Sequence, residues 1–230
     1  MNDSDTRQYA PATERNKVPI LEVLQQVLPP TGTVLEISSG TGEHAVFFAP
    51  QLAPRKWLPS DPNPLARASI TAWRQHYPTE NLYEAIALDV CDLIWAVEQY
   101  EAKTLEEPDS LAANEFQSLS GIDFNRDPIT AIVNINMIHI APWSACLGLM
   151  AGAKRILPPG GILYLYGPFK QDGKHTAPSN AQFDQHLRAQ NPQWGIRDLE
   201  QVVAVAQTQH LSLVKTIAMP ANNLSVILQA

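Results

Sequence analysis

The sequence predicts an α/β fold: a doubly wound, mainly parallel sheet with helices on both faces. Three observations predict it. Short apolar runs alternate with helix-compatible segments five times along the chain. The first run feeds a glycine-bearing turn, Ser38-Ser39-Gly40-Thr41-Gly42, just ahead of a helical segment. Two last β-like runs, 211–219 and 224–228, are separated only by residues 220–223, a connection that suits an antiparallel hairpin.

The elements follow in order. Ile20, Leu21, Leu24, Val27 and Leu28 share one helical face, with Pro19 placed in the first turn and Pro29, Pro30 and Gly32 ending the helix. Residues 33–38 form strand one and 44–52 a helix. Residues 56–61 form a short strand ending in Asp61. Asn63 then caps a helix that starts at Pro64 and stops before Pro78. A third strand over 85–90 carries Asp89 near its end, and 93–100 is helical. Residues 101–128 are acidic and aperiodic, so they read as an exposed surface insertion. Residues 129–136 are the most β-like run and the expected central strand. A helix over 142–157, a turn at 158–161 and a fifth strand over 162–166 come next. Residues 167–178 are polar and turn-rich. Helices over 179–190, capped by Ser179, and 196–209 precede the hairpin.

At 230 residues the chain is expected to be a single domain, 1–230, with 1–17 as an N-terminal lid or tail. The net charge of −7 lacks the basic footprint that nucleic acid or an anionic membrane surface needs. Cys91 and Cys146 make no disulfide framework, which points to a reducing compartment. The first residues carry no apolar signal core, and no run approaches the ~20 apolar residues of a membrane helix. A cytoplasmic protein is expected. The six histidines are scattered, with no close-spaced His/Cys pair for a metal.

Ligands of such sheets sit beyond the carboxyl ends of the strands. Glu36, Asp61, Asp89 and Asn136 all fall at or near those ends, and together they suggest one bound nucleoside. Asp61 lies 19 positions after Gly42, a spacing that suits a carboxylate on ribose hydroxyls; its plainer reading is a helix-start residue. Asp89 suits an adenine amino group or is simply a solvated turn acid. Gly40-x-Gly42-x-x-Ala45 also fits the dinucleotide fingerprint, so a nicotinamide-dependent oxidoreductase competes. Tyr166-x-x-x-Lys170 mimics a dehydrogenase pair, but Gly167-Pro168 between them breaks the helix that pair needs.

The run Val34-Leu35-Glu36-Ile37-Ser38-Ser39-Gly40-Thr41-Gly42 resembles the first motif of class I S-adenosylmethionine-dependent methyltransferases, with Ser38 in place of that motif's first glycine. More narrowly, nearly the whole chain resembles the uncharacterised methyltransferase-like protein twenty-six family. The likeness runs through Tyr9-Ala10-Pro11-Ala12-Thr13-Glu14-Arg15-Asn16-Lys17, Pro59-Ser60-Asp61, Leu88-Asp89-Val90, Asn136-Met137-Ile138-His139-Ile140-Ala141-Pro142-Trp143, Gly167-Pro168-Phe169-Lys170, Ser179-Asn180-Ala181-Gln182-Phe183-Asp184 and Trp194-Gly195-Ile196-Arg197-Asp198-Leu199-Glu200. The resemblance implies a Rossmann-like, seven-stranded sheet with an antiparallel last strand. It also implies S-adenosyl-L-methionine as cofactor and methyl transfer to a small molecule.

By the same resemblance, Gly40 and Gly42 would line the methionine part of the cofactor. Glu36 would support that loop or the ammonium group, Asp61 would hold the ribose, Asp89 would lie near the adenine and Asn136 beside the sulfonium. His139, just after strand four, is the candidate catalytic base; otherwise it is a packed histidine under Trp143. Methyltransferases of adenine amino groups often carry an Asn/Asp-Pro-Pro-aromatic motif here, and Asn136-Met137-Ile138-His139 departs from it, which argues against a nucleic-acid base as substrate. Arg15, Asn16 and Lys17 are candidates to cover the cofactor or hold an anionic substrate. Tyr166, Phe169, Lys170, His175 and Asn180 are candidates for a lid. A non-catalytic cofactor-binding module is the alternative from a different class.

Overall fold

Both faces of the central sheet are covered, which is why its strands read as continuous apolar runs. The computed structural model describes residues 5–98, 119 and 121–230. The described chain runs through α1 (Pro11–Val27), β1 (Thr33–Ile37), α2 (Glu43–Gln51), β2 (Lys56–Ser60), α3 (Pro64–His76) and β3 (Ile129–Ile135). It continues with α4 (Trp143–Ile156), β4 (Ile162–Gly167), β5 (Phe169–Gln171), β6 (Lys174–His175) and α5 (Pro178–Gln190). The last elements are β7 (Arg197–Asp198), α6 (Leu199–Thr208), β8 (Ser212–Met219) and β9 (Asn223–Gln229).

The central sheet has six strands in the order β2-β1-β3-β4-β9-β8. β1 to β4 are mutually parallel, and β9 runs antiparallel to both β4 and β8. Side chains alternate between two cores, as the two-residue strand period requires. Leu35, Ile37, Ile132, Leu163 and Leu165 pack on the side of α4 and α6. Val34, Ala131, Val133 and Tyr164 pack on the side of α1 and α2. Trp73 and Trp95 are both buried.

Among the described residues the seventh strand expected from the resemblance is not formed. The segment predicted as strand three, 85–90, makes one isolated parallel bridge to β2, Ser60↔Ile86, and a second bridge, Trp57↔Leu82, lies just ahead of it. Trp57 N–H donates to Asn81 O at 2.7 Å and Tyr83 N–H to Trp57 O at 2.9 Å. Further along, Ile86 N–H donates to Pro59 O at 3.0 Å and Asp61 N–H to Ile86 O at 3.1 Å. The donor needed between these pairs belongs to residue 59, and proline has no N–H. The register also slips, two residues on β2 facing three on the partner between the bridges.

Three other expectations change. α1 begins at Pro11, so Pro19 lies in its interior rather than its first turn. Residues 99–118 and 120, most of the predicted acidic insertion, lie outside the described residues. Within the rest, Leu119, Ile122 and Phe124 are buried against Ile86, Leu88 and Val90, because their apolar side chains join that core rather than solvent. Finally, residues 167–178 are not all turn. β5 pairs with β6 and with β7 in a separate three-stranded sheet. This takes Arg197 and Asp198 out of the predicted helix, and Asp198 becomes its N-cap, accepting from Gln201 N–H.

Candidate functional site

The carboxyl ends of β1 to β4 open onto one rim, where the predicted site residues can be located one by one. The turn after β1 uses left-handed backbone at Ser38 (φ 56°), Gly40 (φ 57°) and Gly42 (φ 89°). Ser38 thus occupies a conformation that favours glycine, the residue of the general motif. The two glycines differ in purpose. A Cβ on Gly42 would lie 2.8 Å from the Ile70 Cα of α3, so Gly42 serves helix–loop packing. A Cβ on Gly40 would meet nothing within 4 Å. Gly40 is the position whose missing side chain leaves open space.

This turn is laced to the end of β2. Gly40 N–H donates to Asp61 Oδ2 at 3.0 Å, and Asn63 N–H donates to Asp61 Oδ1 at 2.9 Å. Ser39 N–H donates to Ser60 O at 2.9 Å, Ser60 N–H to Ser39 Oγ at 3.1 Å, and Ser60 Oγ to Glu36 O at 2.7 Å. Asn63 caps α3 as predicted, its Oδ1 accepting from Leu65 N–H. Glu36 is sealed under the turn at 2% exposure, accepting from Trp57 Nε1 at 3.0 Å. Burial pushes its carboxyl up to about 7, with the Asp61 charge adding to the shift and bonds from Trp57 and Ser39 opposing it.

Asn136 follows β3 with φ 65°; its N–H donates to Tyr166 O at 2.8 Å and its carbonyl accepts from His139 N–H at 3.0 Å. Asp89 is exposed and closes its own turn, accepting from Cys91 N–H at 2.9 Å. Among the described residues no hydrogen bond joins it to the glycine turn.

His139 is not placed as a general base. It is fully buried, edge-on to Phe169 with ring centroids 5.0 Å apart. Burial, with the Arg197 charge beside it, pushes its imidazole down to about 3. Its Nδ1 lies 3.3 Å from Arg197 N. Its Nε2 has no partner among the described residues and faces the Gly167 backbone, 2.5 Å from where a Cβ would stand.

The lid candidates divide. Phe169 and Tyr166 are buried, and Tyr166 belongs to the core on the α1 side. Tyr166 ends β4 while Lys170 lies in β5, so no helix aligns them. Asn180 donates to Asn222 O at 3.0 Å and to Thr176 Oγ1 at 3.1 Å. Lys170 and His175 turn towards Asp184, at 3.7 and 3.5 Å. Arg15 is exposed, Lys17 pairs with Glu14, and Asn16 bonds the half-buried His44 ring at 2.8 Å.

Three residues escaped the sequence reading. Glu43, first in α2, accepts from both Thr41 Oγ1 (2.9 Å) and Ala10 N–H (2.6 Å), tying the N-terminal arm to the glycine turn. Its signal was its place at the helix start directly after Gly42. Asn134 is buried in β3 with Nδ2 on Ile37 O at 3.1 Å, and its Oδ1 has no partner among the described residues. Arg197 holds the loop after Asn136, donating to Ile138 O, Ala141 O and Gln193 O at 2.8, 2.6 and 2.9 Å. A polar Asn inside an apolar strand, and an Arg within a run already singled out, were the available signals.

Solved structures share this fold. An O-methyltransferase family protein from Burkholderia thailandensis aligns over 95% of this chain and 57% of its own, at 14% identity and TM-score 0.69. An O-methyltransferase family 2 protein from Planctomyces limnophilus, in complex with apigenin, aligns over 95% and 60%, at 16% identity and TM-score 0.67. Human N-acetylserotonin methyltransferase in complex with SAM aligns over 95% and 52%, at 10% identity and TM-score 0.66. The chain thus spans between about half and three-fifths of the length of these proteins. No helix among the described residues is long and apolar enough to cross a membrane. Residues 7–230 match the profile of a family described as "Protein of unknown function (DUF938)", and the chain belongs to that family.

Proposed function

We propose that the protein is an S-adenosylmethionine-dependent methyltransferase acting on a small molecule. The observation that carries this reading is the pairing of the open Gly40 position with the Asp61 carboxylate, at the ends of adjacent parallel strands. Each Asp61 oxygen takes one backbone N–H, which leaves a lone pair on each for the two ribose hydroxyls. Gly40 lets a methionine chain approach the backbone, Gly42 holds the turn against α3, and Glu36 supports it from below. In this reading Asp89 is the adenine-side acid and Asn136 borders the reacting sulfur. The narrower likeness to the methyltransferase-like protein twenty-six family is part of the same reading.

The cofactor supplies a methyl group on a good leaving group. The chain's own contribution is alignment and exclusion of water rather than proton removal. His139, buried and neutral, does not take a proton from the acceptor. Transfer by alignment alone suits an acceptor whose nucleophile is already unprotonated near neutral pH.

Calorimetry with S-adenosylmethionine and with its demethylated product tests the reading. Binding of both is expected, and failure of both to bind the folded protein overturns it. The absence of a placed base favours one second reading, a cofactor-binding module without transfer. Transfer of a labelled methyl group to any component of a metabolite extract rejects that alternative. Preference for a nicotinamide cofactor would instead restore the oxidoreductase.

A further inference from the structure

A cavity opens beside Arg197 and Trp143. It lies where β5 and β7 meet the first residue of α4, beyond the carboxyl ends of β3 and β4, and has a volume of ≈ 380 Å³. Lys170, Arg188 and Arg197 line it, with Trp143 and Ile196 as apolar wall and Asp198 as the acid.

Along the lining the cations outnumber the acids. Asp184, behind the lining, is the shared partner of the first two cations. Its Oδ2 takes Arg188 Nε at 3.0 Å and lies 3.7 Å from Lys170 Nζ and 3.5 Å from His175 Nε2. Its Oδ1 already takes Ile196 N–H at 2.6 Å. Burial works against the Asp184 charge, yet these donors hold its carboxyl below the usual range. Asp198 is occupied as well, by Gly173 N–H at 2.9 Å and by the start of α6. The Arg197 guanidinium bonds to neutral carbonyls, with no carboxylate partner among the described residues, and lies over Trp143, 5.5 Å from the ring centroid. Of the residues that line the cleft, Lys170, Arg188 and Arg197 are cationic and Asp198 alone is acidic, while the Asp184 and Glu200 carboxylates stand outside the lining. A lining with three cations and one acid, one of its guanidinium groups over an indole, has the chemistry of an oxyanion site.

We infer that this cleft binds an oxyanion, a carboxylate or a phosphate, carried by the methyl acceptor. Arg197 connects the cleft to the rim by clamping the carbonyls of Ile138 and Ala141 in the loop that follows Asn136. An acceptor anchored by its anionic end at Lys170 and Arg188 reaches the Asn136 side of the rim with its other end. The identity of the anchored molecule rests on the methyltransferase reading, whereas the anion site does not.

The test titrates inorganic phosphate and benzoate, separately and without cofactor, into the full chain, following the Trp143 indole N–H by NMR. Saturable shifts in the millimolar range are expected with at least one probe. Affinity should fall roughly tenfold in Arg188→Gln and in Lys170→Gln. Response to phosphate alone assigns a phosphorylated acceptor, to benzoate alone a carboxylate, and to both an unselective oxyanion site. No saturable shift with either probe overturns the inference. So does equal affinity in wild type and in both folded variants. Failure of cofactor binding, with phosphate or benzoate still bound, overturns the methyltransferase reading and leaves the anion site standing. Where labelled transfer is seen, the bound probe must inhibit it; binding without inhibition removes the acceptor from this cleft.

Discussion

Trp57 and Glu36 meet inside the sheet, the indole Nε1–H of β2 donating to the carboxylate of β1 at 3.0 Å. The acid is buried and its proton is held up to about pH 7, against 4.5 in an ordinary glutamate. Between those two values the native state keeps a proton that the unfolded chain has released. Stability therefore falls as pH rises through that window, by about 3 kcal/mol in all, and stays reduced above it. Glu36→Gln removes the charge while its amide oxygen still accepts from Trp57. The variant should match wild type near pH 4.5 and exceed it by roughly 1–3 kcal/mol near pH 8, measured by urea denaturation.

His139 and His44 slope the other way. Burial pushes both down to about 3, from 6.5. Below 6.5 the unfolded chain takes up protons first, so both histidines cost stability as pH falls through the window from 6.5 to 3. Glu36 partly offsets this on the acid side. Glu36→Gln should therefore steepen the loss between about pH 6.5 and 4.5. Ring nitrogen NMR should find His139 neutral from about pH 8 down to 5. A protonated His139 at pH 6 would contradict its placement.

Gly40 and Gly42 separate ligand space from packing. Alanine at Gly42 meets the Ile70 backbone and also keeps a left-handed φ of 89°. Gly42→Ala should cost about 2–4 kcal/mol of folding stability, read as a lowered thermal midpoint. Alanine at Gly40 bears only the left-handed strain, about 1 kcal/mol. Gly40→Ala should fold nearly as well yet bind S-adenosylmethionine roughly tenfold or more weakly by calorimetry. Equal effects of the two substitutions on stability would contradict the assignment.

Asp61→Asn keeps one acceptor where two backbone donors converge. Either Gly40 N–H or Asn63 N–H must then face an amide N–H₂. A loss of about 1–3 kcal/mol in stability is expected. Under the proposed function the ribose contact weakens too, so the apparent dissociation constant rises more than in Asn63→Ala, which removes only the α3 cap.

Much of this rim was legible because its signals are local. Residues 33–42 announce an apolar strand, an acid and a turn needing positive φ, and Asn63-Pro64 announces a helix start. The rest depends on distant partners. His139 looks titratable after a central strand, and only the packing of Phe169, Gly167 and Arg197 around it makes it inert. β7 is two residues long, below any detectable period, and exists because β5 supplies its partner. Leu119, Ile122 and Phe124 were masked by the acids around them, since composition averages over the apolar positions that pack.

Pro59 has a consequence for motion as well as for topology. The segment at 82–86 is fastened to β2 by a pair of bonds at Trp57 and another at Pro59 and Asp61, with no rung between. Each fastening can open without waiting for the other, so the sheet's outer margin behaves as two staples rather than one zip. Native-state hydrogen exchange should then give the Tyr83 and Ile86 amides separate opening free energies, both below that of the β1–β3 core. The Ile86 staple also carries Asp61 N–H, so its opening frequency sets how often the residue that steadies Gly40 comes loose.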